Sequence, residues 1–280
     1  MPVFSGRSLT PPTEAAAAFG HETETALQTK KNKLGDRTMN SVATVPRTTE
    51  ISPRTKARMA GGFYLATILT GVFTQQFISH LVVSGDAAAT AANILSHESV
   101  FRLGFAVYLV ELACQITMTT LMYDLLKPVS RSGSLLSAIF GLIGCAVKIL
   151  SRLFFFAPLL VLGGAHYLSV FSAEQLHALA LLSLRVDYHA EAIAMVFFGF
   201  SALLKGYLVS RSTFLPRILG LLSAVGGLGW LTYLYEPLAS RMAGYIVSFA
   251  VVAGFSNALW LLMFGVNEQR WREQAKAAGQ

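Results

Sequence analysis

Residues 135–162 read LLSAIFGLIGCAVKILSRLFFFAPLLVL, and Lys148 and Arg152 are the only charged side chains among them. A helix rises 1.5 Å per residue, so about 20 apolar residues cross the roughly 30 Å hydrocarbon core of a bilayer. The run is long enough to do this. Its apolar residues are also continuous, whereas a barrel strand would alternate over about ten residues. It therefore predicts a membrane-spanning helix. Five other stretches have the same character, at 59–83, 101–126, 187–209, 218–235 and 242–266. The fold class expected is all-α, a polytopic membrane bundle of six transmembrane helices.

Composition agrees with that reading. Of 280 residues, 54% are apolar and only 13% charged, about half the charge of a soluble domain. Residues 1–58 hold nine Lys or Arg and five acids, while the much longer stretch 59–266 holds ten and eight. A water-facing surface cannot be built from so few charges. The net charge of +7 follows from the N-terminal tail and the short connections, which makes it a topology signal and excludes a nucleic-acid-binding face. Cys114 and Cys145 fall inside apolar runs, where they act as small hydrophobes and not as a disulfide framework.

The chain divides into a Pro- and Ser/Thr-rich tail at 1–56, a transmembrane domain at 57–268 and a C-terminal tail at 269–280. Without an apolar period the first segment is expected to be disordered. It also has no apolar core of the kind a cleaved signal peptide needs. Met39 precedes a short basic lead and is a candidate start, which would make 1–38 a gene-start artefact. Basic residues near the proposed membrane edges divide eleven to three. Arg47, Arg54, Lys56, Arg58, Lys127, Arg131, Arg211, Arg217, Arg270, Arg272 and Lys276 fall on one side, and Arg102, Arg185 and Arg241 on the other. The positive-inside rule then puts both termini in the cytoplasm of a bacterial inner membrane. Trp230, Tyr233 and Tyr235 are expected to form an aromatic belt at the outer end, with Trp260 towards the inner one.

The inner connections, 127–134 and 210–217, are tight, whereas the outer ones, 84–100 and 163–186, are long. Asp86 is placed to cap a short Ala-rich helix ending near Leu95. Ser172 with Gln175 forms a capping box that opens an apolar helix over 173–184. At about 12 residues that helix is too short to span and is expected to lie in the outer interface or to fold over the bundle.

Ionisable groups at membrane depth each cost about 2.5–3.5 kcal/mol, so they mark functional candidates. Glu111 lies about 15 Å from the outer end of its span and Lys148 about 18 Å, at 1.5 Å per residue. Arg152 shares the face of Lys148, four residues on. The expectation is one carboxylate, Glu111, bracketed by two cations. Asp187, His189 and Glu191 enter the fourth span, and His80 and Arg102 mark outer ends. Together these eight residues are candidates for lining an outward-facing polar pocket, although Glu111, Lys148 and Arg152 also suit an interhelical clamp. Lys205 lies near the inner end of its span and is expected to snorkel. Gly226, Gly227 and Gly229, with Ser223, suit close helix packing.

No P-loop, HExxH, CxxC or hydrolase elbow is present, and no cofactor or metal is expected. Three functions remain open. One is binding or transport of a small anionic or amphiphilic molecule, drawn by the cationic pair. Another is an intramembrane enzyme using His80, Asp187, His189 or Glu191, and the third is an accessory subunit without chemistry. The bilayer is the one partner the composition demands.

Several phrases resemble the bacterial DUF4386 family of uncharacterised integral membrane proteins. They are RMAGGFYL at 58–65, TAANI at 90–94 with FR at 101–102, FFG at 197–199, GYLVSRSTFLPRILG at 206–220 and WLLMFGVN at 260–267. The resemblance spans about 57–268, and its most specific part is the turn that carries Arg211, Ser212, Pro216 and Arg217. It implies a membrane bundle and no particular activity. Gly254 and Gly141 depart from the pattern, standing where the family often has an acid and an Arg.

Overall fold

The computed structural model describes residues 28–31 and 51–279. The expected disorder of the tail and the alternative start at Met39 concern residues that lie, up to residue 50, almost wholly outside those described. From Ile51 onward the chain is one unit built of helices. In chain order they are α1 (Pro53–Ile78), α2 (Ala87–Ser96), α3 (Glu98–Leu126), α4 (Arg131–Leu162), α5 (Ala173–Arg211), α6 (Arg217–Leu231), α7 (Glu236–Met263) and α8 (Glu268–Ala277). Three short 3₁₀ turns, Ser79–Leu81, His166–Leu168 and Thr232–Leu234, lie among them.

Five of these are long and apolar enough to cross a membrane: α3, α4, α5, α6 with the turn that follows it, and α7. Helix α1 is long but more polar, because Thr67, Thr70, Thr74, Gln75 and Gln76 dilute its apolar residues. It starts at Pro53, several residues before the apolar run and inside the stretch assigned to the tail. The cause is local: Ser52 Oγ accepts a hydrogen bond from the Thr55 backbone N–H, and Pro53 occupies the first helical position, where its missing donor costs nothing.

Six helices close into a ring in the order α1, α3, α4, α5, α6, α7 and back to α1. The α4–α5 seam is the most extensive and the α6–α7 seam the thinnest. Along α5 and α6 the backbones nearly touch. A Cβ placed on Gly206 would lie 2.6 Å from the Gly220 carbonyl oxygen, and one on Gly227 would lie 2.8 Å from that of Gly199. Small residues permit this approach, and in lipid such packing is the main source of helix association.

Two apolar clusters cap the ring. At the basic end, Met118, Leu125, Leu126, Leu208, Phe214, Leu219 and Leu261 pack together. There Lys56 pairs with Asp124 at 3.0 Å, and Trp271 of α8 donates to the Leu125 carbonyl at 2.9 Å. At the far end Leu81, Ile94, Phe101, Phe155, Leu159 and Leu184 form the second cluster, with Phe101 and Phe155 stacked at 4.5 Å. Between these caps buried polar side chains, among them Glu111, Ser137, Lys148, Arg152, Asp187 and Ser201, lie beside small apolar ones.

The far end also corrects the sequence reading. The 173–184 segment is not a separate interfacial helix but the first three turns of α5, which runs unbroken for 39 residues. At 1.5 Å per residue that is about 58 Å, well beyond a hydrocarbon core. The Ser172–Gln175 capping box opens it as expected, but no Gly or Pro follows before Asp187 to end it. Asp86 caps α2 by accepting from the Ala89 N–H at 2.9 Å, and α2 packs against the protruding end of α5.

Candidate functional site

Repeats of four residues on adjacent helices create the central feature. Lys148 and Arg152 share a face of α4, and Asp187 and Glu191 share the facing side of α5. Glu111 approaches from α3. Lys148 Nζ lies 2.7 Å from Glu111 Oε1 and 3.4 Å from Glu191 Oε1. Arg152 Nη2 lies 2.9 Å from Glu191 Oε2, and Nη1 lies 3.5 Å from Asp187 Oδ2. The guanidinium also sits over the Tyr108 ring, 3.9 Å from its centroid.

The carboxylate bracketed by both cations is therefore Glu191, not Glu111. Depth along a helix was readable from residue counts, and it matched Glu111 with Lys148. Which way Arg152 points depends on the rotation of α4 against α5. That rotation turns the guanidinium past Glu111, onto the Tyr108 ring and towards the Asp187–Glu191 edge.

Three carboxylates surround two cations, so the cluster sums to −1 with every group ionised. The side chain of Arg152 is 1% exposed and that of Glu191 28%, so access to the cluster is from the carboxylate side. Glu111 Oε2 and Asp187 Oδ1 are buried with no hydrogen-bond partner within the protein. The 2.9 Å contact between Arg152 and Glu191 is an ion pair without hydrogen-bond alignment, since Nη2 and Nε of Arg152 are likewise buried without hydrogen-bond acceptors. Unsatisfied buried polar atoms are rare and each calls for an explanation.

A cleft of about 260 Å³ reaches this cluster from the far end. Thr74, Tyr108, Asp187, Glu191, Tyr188 and Arg185 line it, with Val82, Phe155, Leu181 and Leu184 as apolar wall. Of these, Tyr108, Tyr188, Thr74 and Arg185 were not singled out from the sequence. Tyr108 had a signal, because it lies three residues before Glu111 on the same helix face.

Three candidates stand apart. Arg102 is exposed and pairs with Glu98 one turn earlier on its own helix, at 2.7 Å. His80 is exposed in a 3₁₀ turn. His189 faces away from the cluster, its Nδ1 bonded to the Arg185 carbonyl at 2.8 Å and its Nε2 3.7 Å from Glu236, whose side chain is 72% exposed. Helical residues two apart point about 200° from each other, so His189 cannot share the face of Asp187 and Glu191. Among the described residues no group of three His, Cys, Asp or Glu side chains is placed to hold a metal. Cys114 and Cys145 are free thiols.

Lys205 also departs from expectation. Instead of reaching the interface, it lines a cavity of about 70 Å³ inside the ring, bounded by residues of α1, α3, α5, α6 and α7. Gly226 does not pack against a neighbouring helix either. A Cβ added there would meet nothing within 4 Å, because the residue faces the same cavity.

Residues 59–265 match the family described as a domain of unknown function, DUF4386. The match covers most of the chain, and the protein belongs to that family. It is also similar to an uncharacterised protein of the archaeon Archaeoglobus fulgidus, with 26% identity over 155 residues, covering 54% of this chain and 76% of that protein. No solved structure matches.

Proposed function

We propose that this chain spans the inner membrane six times with both termini in the cytoplasm, and that its far-end cleft binds a small amphiphilic molecule carrying a positive group. Support for the sixth span comes from α1. Its 26 residues are enough to cross, and it takes a full place in the ring between α3 and α7. The polarity that dilutes it is partly satisfied within the helix, since the hydroxyls of Thr67, Thr70 and Thr74 donate to the carbonyls of Phe63, Ala66 and Thr70 at 2.7–2.9 Å. Support for the orientation comes from Arg54, Lys56, Arg58, Lys127, Arg131, Arg211, Arg217 and the basic residues of α8, which flank one end of the helices. Green fluorescent protein fused to the C-terminus should fluoresce and alkaline phosphatase there should be inactive. The reverse pattern rejects the orientation.

The observation that carries the binding reading is that the 260 Å³ cleft ends on Asp187 and Glu191. Ionisable groups at membrane depth, open to a cavity and not packed away, are the usual mark of a ligand or ion path. The anion expected from the sequence would need a free cation, but Lys148 and Arg152 are each matched by two carboxylates. The cation that lines the cleft, Arg185, is exposed and donates to the Ser84 hydroxyl at 3.3 Å. The charge at the floor, from Asp187 and Glu191, is negative, and Tyr188 with the Leu181 and Leu184 side chains offers an apolar wall. An amine with a short hydrophobic body fits both.

Equilibrium dialysis of the protein in nanodiscs with benzylamine, benzoate and benzyl alcohol separates the possibilities at constant shape. Benzylamine should bind most tightly, and Asp187→Asn, which keeps the side-chain volume, should weaken it about tenfold. Preference for benzoate would restore the anion reading. Absence of binding by all three would leave the cluster as an interhelical clamp.

A further inference from the structure

The basic half of the ring holds a second polar site that the far-end cleft does not use. Lys205 lies six residues before the end of α5, about 9 Å along the axis, yet its side chain turns into the ring. It lines the 70 Å³ cavity with Tyr64 from α1, Ser223 and Gly226 from α6, and Gly254 and Asn257 from α7. It also borders a smaller gap beside Thr119, Ser137 and Ser201. Among the described residues no carboxylate pairs with Lys205, whereas Lys148 and Arg152 have two each. An ammonium held inside a membrane bundle without a counter-charge is costly, and such groups find an anion, a water-filled cavity or a neutral state.

The lining favours the first. No carboxylate is among the residues that line the cavity, whose polar groups include the Lys205 ammonium, the Tyr64 and Ser223 hydroxyls and the Asn257 amide. The Tyr64 hydroxyl lies against Gly254, where an added Cβ would be 3.5 Å from it. Asn257 Nδ2 donates to the Ala253 carbonyl at 2.9 Å, and the Ser223 hydroxyl lies 3.4 Å from Asn257 Oδ1, so the amide is held in place by its neighbours. That leaves the Lys205 ammonium and the Tyr64 O–H as donors with no protein acceptor assigned, in a space of about two water volumes. The space itself exists because Gly226 has no side chain.

We propose that this cavity is a binding site for a small inorganic anion of halide size, held by the Lys205 ammonium and the Tyr64 hydroxyl. The volume excludes a lipid headgroup or a sugar acid, and the site lies among five helices. It is separate from the far-end cleft, so either site can fail without the other.

The test is chlorine NMR line broadening of chloride by the full-length protein in nanodiscs, titrated in a gluconate background. The wild-type protein should give saturable broadening, and Lys205→Met should weaken binding about tenfold or abolish it. Gly226→Leu should do the same by filling the cavity, and its fold should survive because the new side chain enters open space. Arg102→Gln, an exposed far-end arginine outside both sites, should leave chloride binding unchanged. No saturable broadening by the wild-type protein overturns the proposal, as does broadening that persists in both Lys205→Met and Gly226→Leu, the signature of exposed arginines. Should Lys205→Met fail to fold, Gly226→Leu decides alone: retained binding rejects the site.

Discussion

The two halves of the ring treat buried charge in opposite ways. Towards the far end, three helices contribute five ionisable side chains within 3.5 Å of one another in pairs. Towards the basic end the Lys205 ammonium sits among Tyr64, Ser223 and Asn257 in a cavity with no acid among its lining residues. The physics of a low-dielectric interior makes these arrangements differ in how they respond to loss. In a matched cluster each charge is the solvent of its neighbours, so removing one strands the rest. In an unmatched site the charge itself is the cost, and removing it relieves the site. Charge-deleting substitutions should therefore have opposite signs in the two regions.

The largest effect is expected from Lys148→Met. It leaves Glu111 without its cation and Glu191 with Arg152 alone, which should lower stability by about 3–5 kcal/mol, read as a drop in thermal midpoint in nanodiscs. The double variant Glu111→Leu with Lys148→Leu removes both members of the shortest pair and should recover most of that loss. If the double variant is as unstable as the single one, pairing is not what holds these groups, and the contrast between the halves disappears.

Next in size is the close α5–α6 seam beside Lys205. Gly206→Val must push the Gly206 backbone away from Gly220 and Ala224, which lie 2.6–2.8 Å from the position of its Cβ. Overpacking of this kind typically costs about 1–3 kcal/mol, whereas Gly226→Ala, facing the cavity inside a helix, should be neutral or stabilise by up to about 1 kcal/mol. Equal losses at the two glycines would show that the cavity is not open as described. A smaller effect is expected at the reciprocal pair where the Ser137 hydroxyl donates to the Ser201 carbonyl at 3.0 Å and the Ser201 hydroxyl to the Ser137 carbonyl at 2.8 Å. Each alanine there should cost about 0.6 kcal/mol, the usual scale for interhelical hydrogen bonds in lipid.

The far-end cluster was partly legible in the sequence and the basic-end cavity was not, for a geometric reason. Hydropathy locates spans, and residue counts give depth, which is why Glu111 and Lys148 could be matched without coordinates. Rotation about a helix axis leaves no such trace in a nearly all-apolar helix. Arg152 was thus assigned to Glu111 when it belongs to Asp187 and Glu191. Lys205 was assigned to the interface because snorkelling is the default for a lysine within two turns of a helix end. The gap beside Gly226 gives it room inside the ring, and a glycine in a Gly-rich stretch reads as packing material in sequence. The length of α5 was misread for a different reason: a capping box marks a helix start well, but its end depends on a breaker, and none occurs between Leu184 and Asp187.

Lys205→Met is expected to have the smallest effect on stability, and its sign is informative. In chloride-free buffer the substitution removes an ammonium that has no carboxylate partner, and methionine is of similar length and flexibility. Stability should be unchanged or higher by up to about 1 kcal/mol, as when unpaired buried charge gives way to apolar side chains. With chloride present the wild-type protein should gain stability by mass action while the variant gains nothing, so the two melting curves should cross as salt composition changes at constant ionic strength. A loss in chloride-free buffer comparable to that of Lys148→Met would mean that Lys205 has a structural partner after all, and the two halves of the ring would then manage charge by the same rule.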